Sequence, residues 1–505
     1  MKADNNTSSI YLMHKYWGKK PSEELSKIIS TYSGENDTVF DPFAGFGGIA
    51  IESLLQNRNV IINDLNPAAT FIAHNILNEN VNTQKYKELL KEIIDSYQEV
   101  EKKWYYYRGE KIITILRNSQ DFPLKLKVLR GTKQVEIPLS EEDGKSLLNQ
   151  ENEYHINTWY PKDLLIVNSR ISAKPGMTIA DLFPKRALIC HSCLCSLIKD
   201  LPPSSEKDLL LFSFTSNIAN CSKLVPPIVS RGDMAQGAWM TGFYVGKTYL
   251  ENNVFHYFEN RAKKSLKGKE SYLSLRKKNQ VHSSYLILNE DAKNLSLSND
   301  SIDLVFTDFP YGDTVPYFEQ SQLWNSWLKK TVDYENEIVI SNSNERNKTT
   351  ENFNSDISVA IAEISRVLKN DKYFVFTFHS LSGTEWAAII KALNEYGFSF
   401  VDCDVMLQKT LPPRQLNRNY TIKGDIIAVY KKSTSRLKED SFNAVFNQII
   451  NDAINDQDVF ETNDLIICCI KAMLSTGFSE SIDFKELLLK RFVIDESISK
   501  WRVRK

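Results

Sequence analysis

The 505-residue chain is poor in cysteine, has no long apolar stretch and carries almost no net charge. Its seven cysteines do not form the pattern of a disulfide framework, which indicates a reduced compartment. No apolar run is long enough to span a bilayer and the N-terminus has no apolar signal segment, so we expect a cytoplasmic protein without a membrane partner. The formal net charge is −1, so a nucleic-acid partner would have to contact a local basic patch.

Strand and helix patterns alternate in two separate parts of the chain. Short apolar strands and amphipathic helices follow one another in residues 1–80, and the alternation returns in residues 283–432. This predicts an α/β fold with one mostly parallel sheet of about seven strands, the last two of which form a hairpin at one edge. Residues 81–282 would then be a large α+β insertion between the second and third strands, and residues 433–505 a helical C-terminal region of unknown role.

A glycine-rich turn follows the first predicted strand, in the stretch "FDPFAGFGGIA" (40–50). Gly45 and Gly47 allow the backbone to turn sharply and allow a ligand to approach it closely. The second strand ends at Asp64, where a carboxylate could accept hydrogen bonds from ribose hydroxyls. Asp41 precedes the turn and would repel a phosphate, so the pattern favours a cationic or amino-bearing nucleoside cofactor over a dinucleotide. A simple tight turn is the alternative.

A second polar stretch, "TDFPYGD" (307–313), follows a buried apolar strand. It brings Asp308, Pro310 and Tyr311 to the end of that strand. A carboxylate beside an aromatic ring at the lip of a sheet allows two interpretations. It is either a turn with a structural tyrosine or a pocket that holds a flat, amino-bearing ring.

Two further stretches contain candidate ligand-binding side chains. "CHSCLC" (190–195) has no second C-x-x-C pair and lies in an apolar helical pattern, so we predict buried cysteines and no metal site. The stretch 261–278 is strongly basic and is the best candidate for phosphate contacts, with a solvated charged face as the usual alternative. The candidate residues, including one from a proline-stiffened loop further on, are Lys263, Lys264, Lys267 and Arg414.

The motifs together resemble those of the amino-methylating DNA methyltransferases. "DPFAGFGG" (41–48) looks like their D-P-F-x-G-x-G motif, "NDLNP" (63–67) like their second motif and "TDFPYGD" like their D-P-P-Y motif. "HKYWGKKP" (14–21) is similar to the N-terminal segment that lies against the methionine end of the cofactor. Stretches of the insertion further resemble a large bacterial group of adenine-specific DNA methylases, so the resemblance covers about residues 10–432.

The resemblance implies a Rossmann-like, class I methyltransferase fold with S-adenosyl-L-methionine as cofactor. The cofactor-binding residues it implies are Lys15, Tyr16, Trp17, Asp41, Pro42, Phe43, Gly45, Gly47, Asp64, Leu65 and Asp291. Within this set, Asp41 would lie near the methionine amino group and Asp64 would bind the ribose. Asp291 would bind the adenine amino group, with a helix cap as its alternative.

The resemblance also implies catalytic roles for three residues of "TDFPYGD". The exocyclic nitrogen of adenine or cytosine is conjugated to its ring and is therefore a poor nucleophile. Asp308 and the carbonyl of Phe309 or Pro310 would accept its hydrogens and stabilise the charge that develops on nitrogen. Tyr311 would stack on the base after it leaves the duplex. Phe309 stands where the family has proline, which leaves the acceptor geometry and the target base open.

These expectations define a leading hypothesis about function. It is a site-specific DNA methyltransferase that acts on adenine N6 rather than cytosine N4, in restriction–modification or phage defence, with a partner nuclease or defence-complex subunit as a further expectation. The insertion would recognise the DNA target. Two alternatives stay open: methylation of RNA or of a protein amide, and a catalytically weakened DNA-binding module of a defence complex.

Overall fold

The computed structural model describes residues 5–279, 282–406, 424–433, 441–454, 459–495 and 500–504. The strands in chain order are β1 (Thr38–Asp41), β2 (Asn59–Asn63), β3 (Tyr106–Tyr107), β4 (Glu110–Asn118), β5 (Pro123–Arg130), β6 (Lys133–Pro138), β7 (Thr248–Asn252), β8 (Tyr285–Leu288), β9 (Ile302–Asp308), β10 (Leu368–Phe378), β11 (Phe398–Met406), β12 (Asp425–Lys432), β13 (Val459–Phe460), β14 (Phe492–Asp495) and β15 (Lys500–Val503).

The α-helices surround these strands. In chain order they are α1 (Asn5–Tyr11), α2 (Ser22–Tyr32), α3 (Gly48–Leu55), α4 (Pro67–Leu77), α5 (Thr83–Trp104), α6 (Glu141–Glu153), α7 (Lys185–Asp200), α8 (Ser205–Ile218), α9 (Val254–Lys278), α10 (Tyr317–Leu328), α11 (Thr350–Val367), α12 (Gly383–Glu395), α13 (Phe442–Ile454), α14 (Thr462–Thr476) and α15 (Phe484–Leu489). Although α5 and α9 have 22 and 25 residues, no helix within the described ranges combines the length and apolarity that crossing a membrane requires.

The central sheet has seven strands in the order β11-β12-β10-β9-β1-β2-β8. The strands from β10 to β8 along this order are parallel, whereas β12 is antiparallel to both β10 and β11. The predicted α/β sheet with its edge hairpin is therefore confirmed. The chain moves outward from β1 to β2 and β8 and then returns to β9 on the other side of β1. In open α/β sheets a ligand crevice forms outside the carboxyl ends of the strands at such a reversal.

The central strands are buried on both faces, as their sequences indicate. Six of the seven residues of β9 are buried, which is typical of a parallel strand covered by helices on both sides. Successive side chains point to opposite faces: Leu304 and Phe306 pack in a cluster with Ile29 of α2, and Val305 packs with Ile361 and Ile390 of α11 and α12. The sheet therefore holds the ends of β1 and β9 on a rigid support.

Residues 81–282 lie along the chain between β2 and β8 of the central sheet. This insertion contributes helices α5 to α9 and a second sheet in which β4 pairs with β3, β5 and β7, while β5 also pairs with β6. Its hydrophobic core is continuous with α4 and β2 of the first part, since Phe214 and Leu266 belong to the same cluster as Ile62 and Ala69. The insertion is thus packed onto the central sheet rather than tethered to it.

The C-terminal region was predicted to be helical, and this prediction is incomplete. Helices α13, α14 and α15 are present, but β13, β14 and β15 form an additional three-stranded sheet. The side chains of Phe492 and Trp501 are buried, while Val493, the next residue of β14 after Phe492, is exposed. Strands of two to four residues show too few alternations of apolar and polar residues to be recognised from sequence.

Candidate active site

The carboxyl ends of β1 and β9 lie side by side. β1 ends at Asp41 and β9 at Asp308, and the two strands pair in parallel with Phe40 opposite Val305. The Thr307 hydroxyl donates a hydrogen bond of 2.6 Å to Asp41 Oδ1 across 266 residues of sequence. The glycine turn and the "TDFPYGD" stretch therefore border one crevice.

A cleft of about 930 Å³, including its open mouth, occupies this crevice. The sequence-predicted residues that line the cleft are Tyr16, Trp17, Asp41, Pro42, Phe43, Gly45, Asp64, Leu65, Asp291, Asp308 and Pro310. The N-terminal segment, the glycine turn and the ends of three strands thus converge as expected.

Two residues predicted to contact the cofactor do not line the cleft. Lys15 is exposed, and its ammonium lies 5.5 Å from the centroid of the Trp239 ring. Gly47 precedes α3 with a φ of +84°, and a Cβ at this position would lie 3.3 Å from Ala73 Cβ on α4. Backbone conformation and helix packing therefore explain the glycine at 47, and contact of either residue with the cofactor stays a prediction.

Gly45 and Asp64 join the glycine turn to the end of β2. The Gly45 N–H donates to Asp64 Oδ2 at 2.8 Å, and the Asn66 N–H donates to Asp64 Oδ1 at 2.9 Å. Gly45 has a φ of +53°, and a Cβ there would lie 2.8 Å from the Tyr16 ring. A carboxylate has about four acceptor positions, so Asp64 can still accept hydrogen bonds from hydroxyls in the cleft.

The acids of the cleft are crowded and poorly solvated. Burial, with smaller contributions from the nearby Asp308 and Asp64, raises the pKa of Asp41 to about 8 despite hydrogen bonds from Thr307 and the Phe43 N–H. Burial also raises the pKa of Asp64 to about 6. A cation bound in the cleft would lower these pKa values by favouring the ionised carboxylates. The cleft is therefore suited to a positively charged ligand.

Asn63, which sequence reasoning did not single out, fixes the floor of the cleft. Its side-chain amide donates to the Pro42 carbonyl at 3.2 Å and to the Glu290 carbonyl at 3.0 Å, and its side-chain oxygen accepts from the Glu290 N–H at 2.9 Å. It thereby connects the segments that follow β1, β2 and β8. The only feature of the sequence that could have indicated this role of Asn63 is its position beside Asp64 in "NDLNP".

Asp291 begins a local turn. Its Oδ1 accepts a 2.9 Å hydrogen bond from the Lys293 N–H, and the Lys293 ammonium lies 3.7 Å from its Oδ2. No helix begins at this point of the described range 282–406, so the helix-cap alternative is wrong. Asp291 nevertheless lines the cleft, so a ligand at this end can still reach its carboxylate.

An aromatic wall closes the cleft on the side of the N-terminal segment. Tyr16 stacks near Tyr317 of α10 with ring centroids 6.2 Å apart, and Trp17 stacks on Trp324 at 5.0 Å. Tyr16, Trp17 and Tyr317 all line the cleft. The segment resembling the methionine-end motif is therefore held against α10 by its rings.

Asp308 lies at the centre of a dense hydrogen-bond network. Its Oδ1 accepts from the Thr377 hydroxyl at 2.5 Å and from the Tyr311 hydroxyl at 2.8 Å, and the Lys20 ammonium lies 3.0 Å away. Burial raises the pKa of Asp308, while Lys20 and the hydroxyl donors oppose this shift. The carboxylate is fixed in orientation and still lines the cleft.

Phe309, the departure from the family motif, has a structural explanation. Its N–H donates to the Thr377 carbonyl of β10 at 3.1 Å, a bond that proline could not make. Its ring is buried and lies 5.1 Å from the Phe376 ring and 5.8 Å from the Phe43 ring. Packing and a backbone hydrogen bond hold the turn here in place of a second proline ring.

Tyr311 is buried and does not line the cleft. Its hydroxyl donates to both oxygens of Asp308, at 2.8 and 3.0 Å, and accepts from the Lys20 ammonium. Its ring lies 6.2 Å from the His379 ring. The stacking role on a flipped base stays a prediction, and the observed geometry assigns Tyr311 to orienting Asp308.

The basic stretch 261–278 is only partly a surface feature. Lys263, Lys264 and Lys267 are exposed on α9, with Lys263 paired to Glu259 at 2.6 Å. Lys269 is buried, and its ammonium donates to the Ile76 and Asn78 carbonyls at the end of α4. Arg414 lies outside the described residues.

The cysteine-rich stretch folds as a buried helix. Cys190 and Cys195 lie in the core on α7, which confirms the prediction of buried cysteines. His191 is also buried, and burial lowers its pKa to about 3. Within the ranges that the structure describes, no group of three or more histidine, cysteine or acidic side chains is arranged to hold a metal ion.

Comparison with known protein families gives one match. The family model for N6/N4 methyltransferases, described as DNA methylase, matches residues 2–75. This range includes the N-terminal segment, the glycine turn and Asp64. No curated protein matches the chain.

Several solved structures that resemble the chain at low sequence identity are methyltransferases. An S-adenosylmethionine-dependent methyltransferase from Methanosarcina mazei is 9% identical, with 81% of this chain and 98% of that chain covered and a TM-score of 0.26. The rRNA methyltransferase aviRa from Streptomyces viridochromogenes is 9% identical, with 84% and 92% covered and a TM-score of 0.29. A TehB-like methyltransferase from Corynebacterium glutamicum is 7% identical, with 81% and 86% covered and a TM-score of 0.25. Because these TM-scores are below 0.5, the observed strand order carries the fold assignment.

The residues of the cleft fit the cofactor that the family uses. S-adenosyl-L-methionine carries a sulfonium and an ammonium group, and poorly solvated acids line the cleft. The absence of a side chain at Gly45 lets the Tyr16 ring pack directly on the turn. The DNA methylase match spans the first two motifs, and β1 and β9 bring the third beside them. The resemblance of this chain to the amino-methylating, S-adenosylmethionine-dependent DNA methyltransferases is thereby confirmed.

Proposed function

We propose that this protein is a cytoplasmic, site-specific DNA methyltransferase that modifies an exocyclic amino nitrogen, adenine N6 in preference to cytosine N4. Restriction–modification or phage defence is the proposed context. The observation that carries the proposal is the position of Asp308 at the lip of the cleft, beside Asp41 and the glycine turn. An acceptor and a cofactor cleft at adjacent strand ends are what methyl transfer to an amino group requires.

The proposed mechanism relies on positioning. When bound, S-adenosylmethionine supplies an electrophilic methyl group on a good leaving group. Asp308 and the carbonyl of Phe309 or Pro310 would accept the two amino hydrogens of the target base and direct its lone pair toward the cleft. The same acceptors would stabilise the positive charge that grows on nitrogen. Holding the reacting atoms in line supplies a large part of the rate gain.

The target amino group is paired and stacked inside a duplex, so the base must be flipped out or single-stranded. We propose that residues 1–80 and 283–432 form the catalytic domain and that the insertion, residues 81–282, recognises the target. The insertion contacts the rim of the cleft: Arg170 pairs with Asp313 at 2.7 Å, and Asn168 donates to Glu319 of α10 at 3.1 Å. These contacts support a coupling between target recognition and the catalytic turn.

Transfer of tritium from labelled cofactor to DNA, RNA and protein substrates in parallel tests the proposal. Transfer to DNA, with N6-methyladenine among the digested nucleosides, is the expected result. Label on RNA or protein alone would replace the proposal with one of the other methyltransferase functions. DNA binding without transfer would indicate a catalytically weakened module.

A further inference from the structure

Lys20 joins two acids from distant parts of the chain, the buried Asp425 and the partly exposed Asp308. Its ammonium lies 3.0 Å from Asp308 Oδ1 and 2.6 Å from Asp425 Oδ2, and it also donates to the Tyr311 hydroxyl. The Lys20 side chain is 6% exposed and that of Asp425 is 2% exposed. Sequence analysis identified neither residue, although Lys20 belongs to the segment "HKYWGKKP".

Three separate elements build this cluster. Lys20 comes from the N-terminal segment before α2, Asp308 ends β9 and Asp425 begins β12 of the edge hairpin. Asp425 is oriented in turn by His379, whose Nδ1 lies 3.4 Å from Asp425 Oδ1. The hairpin edge of the sheet therefore contributes to the centre of the site.

The groups around Asp308 act in opposite directions on its ionisation. The titratable and charged groups that face it or its immediate partners, among the described residues, are Lys20, Asp41, Tyr311, Tyr317, His379 and Asp425. Burial and the Asp425 charge both favour the protonated carboxyl. Of these groups only the Lys20 ammonium provides a close positive charge to Asp308, because His379 contacts Asp425.

A protonated Asp308 would be a poor partner for an amino group. Its O–H would be a donor on the side where the base presents N–H donors, and one acceptor position would be lost. An ion pair and a hydrogen bond to the charged form both favour ionisation. The ammonium of Lys20 supplies the first, and the hydroxyls of Thr377 and Tyr311 supply the second.

We propose that Lys20, anchored by Asp425, is a positioning residue that keeps Asp308 ionised and correctly oriented for methyl transfer. This inference rests on the proposed function. Lys20 also lines the cleft, so it reaches the site from the same segment that carries Tyr16 and Trp17. The N-terminal segment would thereby line the cleft and also hold the Asp308 carboxylate in place.

The inference predicts a shift in the pH dependence of activity. Asp308 accepts hydrogen bonds from the amino group in its ionised form, which is present above its pKa and is lost as pH falls through that value. Burial already raises the pKa of Asp308, and loss of the Lys20 charge raises it further. Lys20→Met should therefore move the acidic limb of the single-turnover rate upward by about 1–3 pH units, which is the usual effect of a close opposite charge.

Matched variants separate this role from a structural one. Lys20→Arg keeps the charge and should retain the acidic limb near its parental position. Asp425→Asn removes a negative charge that favours the protonated Asp308 carboxyl, so it should not move the limb upward. Lys27→Met removes an exposed lysine from α2 and serves as the control for loss of one charge. Calorimetry of S-adenosylmethionine binding confirms that each variant is folded.

Carbon-13 NMR of the aspartate carboxyl groups provides a second measurement that needs no activity. Asp308→Asn assigns the resonance, and its titration in the parent and in Lys20→Met reports the ionisation directly. A coincident titration in both proteins overturns the inference, as does a lower rate with an unmoved acidic limb. If the parent transfers no methyl group but the NMR titration shifts, the proposed function fails and the Lys20–Asp308 coupling stands. If Lys20→Met does not fold, Lys20→Gln carries the same comparison, with Lys20→Arg as its control.

Discussion

Replacement of Asp308 by alanine is the most direct test of the candidate site. The variant removes the carboxylate that accepts from the Thr377 and Tyr311 hydroxyls. Lys20 keeps its 2.6 Å contact with Asp425, and Tyr311 keeps its contact with Lys20, so no buried charge is left without a partner. The fold should therefore tolerate the change.

The expected effects on stability and activity differ in size. Two hydroxyls each lose an acceptor, at about 1 kcal/mol per hydrogen bond, and removal of a poorly solvated carboxylate offsets part of this cost. The free energy of unfolding should fall by about 1–2 kcal/mol. The barrier to methyl transfer should rise by at least about 2.7 kcal/mol, or a hundredfold in rate, as for other lost electrostatic contacts to a transition state.

Single-turnover tritium transfer to DNA measures the rate, and calorimetry measures binding of S-adenosylmethionine to the same protein. Cofactor affinity should stay within about threefold of the parental value, because the loss concerns the transition state. Asp95→Ala, which removes an exposed carboxylate from α5, is the control for loss of one acidic side chain. If Asp308→Ala methylates at the parental rate, "TDFPYGD" is only a turn and the catalytic interpretation is wrong.

Three other perturbations test the cleft and the surface. Gly45→Val should weaken S-adenosylmethionine binding by about tenfold or more, because a Cβ there meets the Tyr16 ring at 2.8 Å and the φ of +53° suits glycine; unchanged affinity in calorimetry would remove the glycine turn from the cofactor site. Neutralising the three exposed lysines of α9 named above should weaken DNA binding and reduce its salt slope by up to about 2.7, and an unaltered slope would locate the phosphate contacts elsewhere. Cofactor affinity should increase as pH rises toward 8, because burial raises the pKa of Asp41 to about 8 and a cation binds its ionised form better. Calorimetry in buffers of different ionisation enthalpy should detect the protons that binding releases. A pH-independent affinity without proton release would contradict this account.

Local patterns were sufficient to predict the sheet and the strand ends. Apolar runs bounded by turns marked all seven central strands, and the break between residues 80 and 283 marked the insertion. Asp41, Asp64 and Asp308 were found because each follows such a run directly. Residue type and position along a single strand carry this information, so no knowledge of the tertiary structure was needed.

The parts of the site that were missed depend on contacts between distant segments. Lys20 meets Asp425 across 405 residues, and nothing in "HKYWGKKP" distinguishes Lys20 from Lys19, whose ammonium instead binds the Tyr11 and His14 carbonyls. Gly47 has a φ of +84° and packs against Ala73 on another helix, and the sequence alone shows neither constraint. A motif reports which residue types are present, whereas tertiary packing decides which of them face the cleft.

The split central sheet has a consequence for how the protein is made. Val60 of β2 pairs with Tyr285 of β8, and Val39 of β1 pairs with Leu304 of β9. At about 5–20 residues per second, a ribosome needs roughly 10–45 s to synthesise the intervening residues. During that time a β1–β2 pair has both edges unpaired, which is a hazard for aggregation. The nascent N-terminal half must therefore be shielded, by its own helices or by a chaperone, until the second half of the sheet emerges.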